Sequence, residues 1–350
     1  MASTPTALVG RRATLTRFRC RTGFALYCGG LISGESDISE FDRRRFLGAS
    51  AGAAVGIAAQ RGALAKSDIP TNVPASPTTE DVPRPPLVTL GKTGVKMSRL
   101  GQGTGVFGGQ RQSNQTRMGF EKLVGLFRHA YDRGIRFFDL ADLYGTHVYF
   151  REALRSIPRE EVAILTKVWW PYDGPRDKTS ENHRAQITRS TLERFRHELT
   201  TDYLDIVLLH CLTEPEWPNR MTPYMEVLSN EKQMGRVKAL GVSCHDFGAL
   251  KAAAASPWVD VILARINPAG VKMDASPDEV IAVLREAKAA GKSILGMKIF
   301  GEGQLADKRE ECIQFAQNHD FLDAMTIGFE TPEQIDEVLR LMAKYPPVKA

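Results

Sequence analysis

Between residues 99 and 329 the chain alternates eight times between short, almost wholly apolar runs and longer stretches whose apolar residues recur at helical spacing. The short runs fall at 99–104, 134–141, 162–168, 204–210, 237–244, 259–267, 293–299 and 323–329. Their length and their Gly, Pro and Asp flanks mark them as buried strands. The stretches 186–199, 277–289 and 332–343 carry a 3.6-residue apolar stripe with charges opposite and predict helices. Eight strand–helix repeats predict an α/β fold of the (β/α)8 TIM barrel type, with an eight-repeat doubly wound sheet as the alternative. Ahead of the first run, residues 87–98 alternate around Gly91-Lys92-Thr93-Gly94, which predicts an N-terminal β-hairpin capping the barrel floor.

In a barrel of this kind, chemistry is built at the C-terminal ends of the strands. Three successive strand ends carry titratable side chains: Asp139 with Tyr144 just beyond it, Lys167, and His210. Ile135, Phe137 and Asp139 fall on one side of a period-2 strand, so the carboxylate arrives among apolar residues and needs a cation. Lys167 supplies one, and an ammonium beside the Tyr144 phenol would bring its pKa down from about 10 toward the working range. His210 would orient a carbonyl oxygen beside the hydroxyl. Each residue alone has a plainer reading, a solvated strand terminus or a satisfied core group. Four at matching strand ends point instead to a site. A Schiff base on Lys167 or Lys298, as in a barrel lyase or aldolase, is a second chemistry open to these residues. A cofactor-binding module without turnover is a third reading.

The motifs Asp139-x-Ala141-x-x-Tyr144-Gly145, Leu165-Thr166-Lys167 and Asp202-Tyr203-Leu204-Asp205-Ile206-Val207-Leu208-Leu209-His210 resemble the three signatures of the aldo-keto reductase family, in family order, within a match running over about 87–342. The resemblance implies an oxidoreductase that moves hydride between a nicotinamide cofactor and a small carbonyl or alcohol substrate. It makes Tyr144 the general acid, Lys167 and Asp139 its tuning pair, and His210 the group that positions the carbonyl. It places Gly103 and Thr104 near the nicotinamide ribose, Ser243 on the carboxamide, and Trp169, with Trp170 and Cys211, around the substrate pocket. For Trp170 and Tyr172, ordinary loop packing is an equal alternative. Several positions depart from the family pattern. Cys244 and Leu263 stand where an asparagine and a glutamine are usual, and Met297 takes the place of a stacking tyrosine, although a thioether also covers an aromatic face. Lys298 has no counterpart; it either meets the cofactor's phosphates or ends its strand in solvent.

Two further features bear on ligands. The glycine-rich stretch 101–109 lacks the Gly-x-Gly-x-x-Gly spacing of a Rossmann fold. The segment 321–339, where the family places the basic residues that hold a 2′-phosphate, contains no Lys or Arg. Gly328, Glu330 and Gln334 stand there, in an area made acidic by Glu333, Asp336 and Glu337, which favours NAD(H) over NADP(H). The same acids also complement the N-terminal end of a helix. His210-Cys211 and Cys244-His245 invite a zinc reading, but strand alternation turns only one member of each pair inward and no Cys-x-x-Cys spacing supports it, so no metal is expected.

The chain has 350 residues, 43% hydrophobic and 25% charged, with a net charge of +5. That excess lies wholly in residues 1–65, which hold nine Arg and no Lys against four acids. The remainder is neutral, which argues against nucleic acid as a partner. Asp42-Arg43-Arg44-Arg45-Phe46-Leu47-Gly48, followed by an Ala/Gly-rich apolar run, resembles a twin-arginine export signal. At about 14 residues the run is too short for a stable membrane anchor. Ala63-Leu64-Ala65 would complete the signal, with cleavage before Lys66. The resemblance implies the twin-arginine translocation machinery as a partner and a periplasmic or otherwise exported product. A Pro-rich linker at 66–86 then leads into a barrel domain over 87–350. Cys211, Cys244 and Cys312 follow the signal and make no disulfide framework.

Overall fold

The computed structural model describes residues 82–175 and 178–348. The signal assigned to 1–65 and most of the linker at 66–86 lie outside the described residues. Leu87–Leu90 (β1) and Val95–Ser98 (β2) form the expected antiparallel hairpin, turned by Gly91–Thr93 and left-handed Gly94. Eight parallel strands follow: Leu100–Gly103 (β3), Phe137–Asp139 (β4), Ala163–Val168 (β5), Leu204–Leu212 (β6), Val237–Cys244 (β7), Val261–Arg265 (β8), Ser293–Met297 (β9) and Ala324–Ile327 (β10). Each pairs with its sequence neighbours, and β10 pairs with β3, closing the barrel. The doubly wound alternative is thereby excluded.

Alternate residues of these strands fill the interior. Phe137, Leu165, Ile206, Leu208, Val261, Leu263 and Leu295 share one apolar cluster with Leu90, Val95 and Met97 of the hairpin. Leu90 and Met97 are essentially inaccessible, so the hairpin's apolar side closes the interior. Glycine at 101 is required: a β-carbon there would stand 2.2 Å from the Phe137 ring. The helices bury their stripes against the outer strand faces, and two of them begin where the sequence marks them. Pro277–Ala289 follows Ser276 with a Glu279 capping box, and Pro332–Lys344 follows Thr331 with a Gln334 box. Among the described residues, no helix is long and apolar enough to cross a membrane.

Most strands are shorter than expected at their ends, and two differ in ways that shape the site. β4 is three residues long rather than eight. Gly134 is left-handed and the Ile135 amide returns to the Ala130 carbonyl at 2.9 Å, so Ile135 ends the preceding helical turn and packs in the outer cluster, not on the side of Phe137. β6 runs two residues beyond His210, with a register shift against β7 between Leu209 and Leu212 and a left-handed Cys211 (φ 57°). This local bulge re-aims the side chains at the strand's end.

Candidate active site

Asp139 ends β4, and a single helical turn, Asp142–Tyr144, follows it before left-handed Gly145. Asp139 is paired with Leu165 on β5, so Lys167 stands two residues further up the neighbouring strand on the same side. Its ammonium donates to Asp139 Oδ1 and, at 3.0 Å, to the Leu140 carbonyl. Both side chains are buried, so the attraction offsets two desolvation costs and neither partner can be removed cheaply. Tyr144 reaches across the barrel mouth to His210, with its hydroxyl 3.2 Å from Nε2. The Lys167 ammonium lies 5.0 Å from the tyrosine ring centroid.

One electrostatic expectation is reversed. The phenol is not acidified: burial pushes its pKa well above 10, and the negative charges of Asp139 and Glu302 add to the shift. Lys167 is committed to Asp139, and the Tyr144 phenol is held neutral. Burial likewise keeps His210 neutral, with the charges of Lys167 and Lys298 reinforcing the effect.

The aromatic loop after β5 braces this histidine. Trp170 Nε1 donates to the His210 carbonyl at 3.0 Å, and the Trp169 ring meets the imidazole edge-on at 5.3 Å. The Cys211 amide donates to Ser243 Oγ at 2.9 Å, which leaves the Ser243 hydroxyl proton for another acceptor. Cys211 Sγ and His245 Nε2 come within 3.5 Å, while Cys244 is buried in the outer cluster. Burial raises the Cys211 thiol to about 11 and lowers His245 to about 4, giving a neutral pair. Among the described residues, no three His, Cys, Asp or Glu side chains gather as a metal site would require.

A cavity of about 410 Å³, within the size range of small-ligand sites, opens beside Asp139 and Tyr144; Lys167, Trp169, Trp170, His210, Cys211 and Ser243 are not among the residues that line it. Gly103, Asp139 and Tyr144 line it, as do Met297 and Lys298 after β9 and Gly328, Glu330 and Gln334 after β10. Thr104 does not: its hydroxyl donates to the Asp139 carbonyl at 2.7 Å and stands 3.3 Å from Thr146 Oγ1, inside the wall. Lys298 is neither solvated nor free, because its ammonium pairs with Glu302. Glu330 accepts from Asn114 at 2.9 Å, and the Gln334 amide oxygen takes the Glu330 and Thr331 amides in the helix cap. Two charged lining residues were not singled out from the sequence, Glu302 and Arg309; the latter pairs with Glu337 at 2.6 Å. Glu302 lies in a short turn with no periodic signal, and Arg309 opens the helix Arg309–Gln317, 28 residues before the Glu337 it meets.

The aldo/keto reductase family model matches residues 99–344, the whole barrel and its last helix. The chain belongs to the aldo/keto reductase family. It is 29% identical over 163 residues to "Probable aldo-keto reductase 1" of Glycine max, covering 45% of this chain and 44% of that protein. It is 25% identical over 191 residues to the "NADH-specific methylglyoxal reductase" of Escherichia coli K12, covering 51% and 58%. The chain thus spans about half the length of these curated relatives. The fold matches aldo-keto reductase AKR11C1 from Bacillus halodurans, holo form, with a TM-score of 0.57 and 17% identity, over 75% of this chain and 92% of that one.

Proposed function

We propose that this aldo/keto reductase reduces a small carbonyl compound, or oxidises the matching alcohol, with Tyr144 exchanging the proton at the substrate oxygen. The observation that carries the reading is the contact between a neutral, half-buried phenol that lines the cavity and a neutral, buried imidazole behind it. Tyr144 donates the proton, His210 fixes the oxygen beside it, and Trp169 bounds the site from the β5 side. The pair Asp139–Lys167 keeps the charged groups at a defined place behind the ring. A bound nicotinamide dinucleotide supplies the hydride. The residues present fit such a group. Gly103 and Met297 line the inner end, the Thr326 hydroxyl is buried at the wall without a partner, and a β-carbon built at left-handed Gly303 meets nothing within 4 Å. Lys298 and Arg309 bring two cations to the same cavity, where they would meet a pyrophosphate on release from Glu302 and Glu337.

The finer reading favours NAD(H) over NADP(H). Glu330 and Glu337 line the cavity beside Gln334, and Arg309, the basic residue among them, is already paired. A second dianionic phosphate there would face carboxylates. Fluorescence titration of the purified protein with each reduced cofactor tests this: NADH should bind more tightly. Tighter NADPH binding, lost in Arg309→Ala, would overturn the preference. The protein is further proposed to leave the cytoplasm through the twin-arginine machinery, supported by Arg43, Arg44 and the apolar run after them.

A further inference from the structure

Part of the Tyr144 ring is covered by backbone that carries no side chain. A β-carbon at Gly105 would stand 2.4 Å from Tyr144 Cζ and 2.7 Å from its hydroxyl oxygen, and one at Gly108 would stand 2.5 Å from Cδ1. The loop after β3 therefore lies against the phenol at a distance only glycine permits. It is also a strained loop, with Phe107, Gln110 and Arg111 all left-handed (φ 46°, 50° and 58°). Non-glycine residues hold that conformation only when their surroundings impose it.

The surroundings that impose it converge on Asp142, two residues before Tyr144. Its carboxylate is buried, with 2% of the side chain exposed. Oδ1 accepts from Arg111 Nη1 at 2.6 Å and Arg194 Nη1 at 2.9 Å, and Oδ2 accepts from Arg194 Nη2 at 2.8 Å. The Arg111 carbonyl also fills the space beside Gly145, 2.4 Å from where a β-carbon would be. Behind the two guanidinium groups, Glu198 accepts from Arg111 at 3.1 Å and Arg194 at 2.9 Å and bonds His147 Nδ1 at 2.8 Å. His147 Nε2 lies 2.7 Å from the hydroxyl of Thr166, the neighbour of Lys167. Two cations and two carboxylates thus tie the glycine loop, the tyrosine turn and the β5 strand into one assembly.

We propose that Asp142 is a positioning residue for Tyr144, which, through Arg111 and Arg194, clamps the Gly105–Gly108 backbone onto the phenol and keeps water from it. The proposal rests on the reading of Tyr144 as the proton donor. No charge of the clamp touches the hydroxyl. The titratable groups that face Tyr144 are Asp139 of β4, Lys167 of β5, His210 and Cys211 of β6, and Glu302 after β9, and releasing the loop leaves all of them in place. What changes is solvation, and a solvated phenol titrates closer to its ordinary value.

The test uses Asp142→Asn, Arg111→Gln and Arg111→Lys, each alone and combined with Tyr144→Phe. Arg111 is 44% exposed, so its variants serve even if Asp142→Asn fails to fold. The ultraviolet difference titration between each variant and its Tyr144→Phe partner isolates the ionisation of this one tyrosine. In Arg111→Gln it should move to lower pH by about one unit or more. The alkaline limb of kcat/KM should move with it, and turnover should fall on the order of 10- to 100-fold, the scale for a mispositioned reacting group. Arg111→Lys should restore part of each effect. An unmoved Tyr144 titration in Arg111→Gln overturns the clamp, as does a lowered melting temperature with no change in the pH limb. If Tyr144→Phe is fully active, the reading of the donor fails instead, while the difference titration still decides whether the clamp shields the phenol.

Discussion

The Tyr144 hydroxyl stands 3.2 Å from His210 Nε2, and the other imidazole nitrogen, Nδ1, is buried without a partner. A buried N–H with no acceptor is rarer and costlier than a lone pair with no donor. The hydrogen-bond network therefore assigns the imidazole proton to Nε2. In that tautomer His210 donates toward the tyrosine oxygen, and the tyrosine proton is left for a third group. A carbonyl oxygen placed between them would receive one hydrogen bond from Nε2–H and the proton from the phenol. The neutrality of both partners would let this division of labour work near neutral pH.

The buried histidines set an acid limit on stability. His245 is lowered from 6.5 to about 4 by burial, with Arg265, Lys298 and Lys167 adding to the effect, and His210 is lowered well below 6.5 for the same first reason. Below 6.5 the unfolded chain takes up protons that the folded one refuses, so stability falls as pH drops from 6.5 toward 4. Burial opposes ionisation of Glu198, but its hydrogen bonds to His147 and Arg194 outweigh that and hold it at about 2; its contribution is lost in a separate window, from 4.5 down to about 2. Urea unfolding across this range should show a decline in which His245→Asn removes roughly 2–3 kcal/mol of the upper part. A flat profile between pH 6.5 and 4 would contradict the buried neutral histidines.

The proposed export would depend on groups outside the barrel. Replacing Arg43 and Arg44 by Lys keeps the charge but removes the paired guanidinium groups that a twin-arginine receptor reads. Cell fractionation should find the double variant retained in the cytoplasm as full-length precursor, folded and able to bind cofactor. The same exported yield as the parent would remove the signal assignment.

Much of the architecture was legible because a parallel barrel writes each layer locally. Eight apolar runs, helices capped at Ser276 and Thr331, and Gly94 at the hairpin turn all act within a few residues of where they are seen. The four residues at the barrel mouth were legible for a related reason, since strand ends in this fold face one side. The ionisation of Tyr144 was not. Burial drives it, and Gly105 and Gly108 lie on the ring, a contact between segments some 35 to 40 residues apart that no period encodes. Thr104 failed as a lining residue because its hydroxyl finds the Asp139 carbonyl behind the wall. Arg309 and Glu302 enter the cavity only through the path of the turns after β9.

The central claim is that the Tyr144 hydroxyl delivers the proton, and the most direct measurement is the single-turnover rate of Tyr144→Phe with saturating reduced cofactor and a carbonyl that the parent reduces. Phenylalanine keeps the ring against Gly105 and Gly108 and removes one oxygen, so the barrel should stay folded and cofactor affinity should stay within a few-fold of the parent. The account predicts a rate lower by roughly 10²–10⁴-fold, the contribution of one general acid, with the loss in kcat rather than in binding. A Tyr144→Phe protein that turns over at the parent's rate would contradict it.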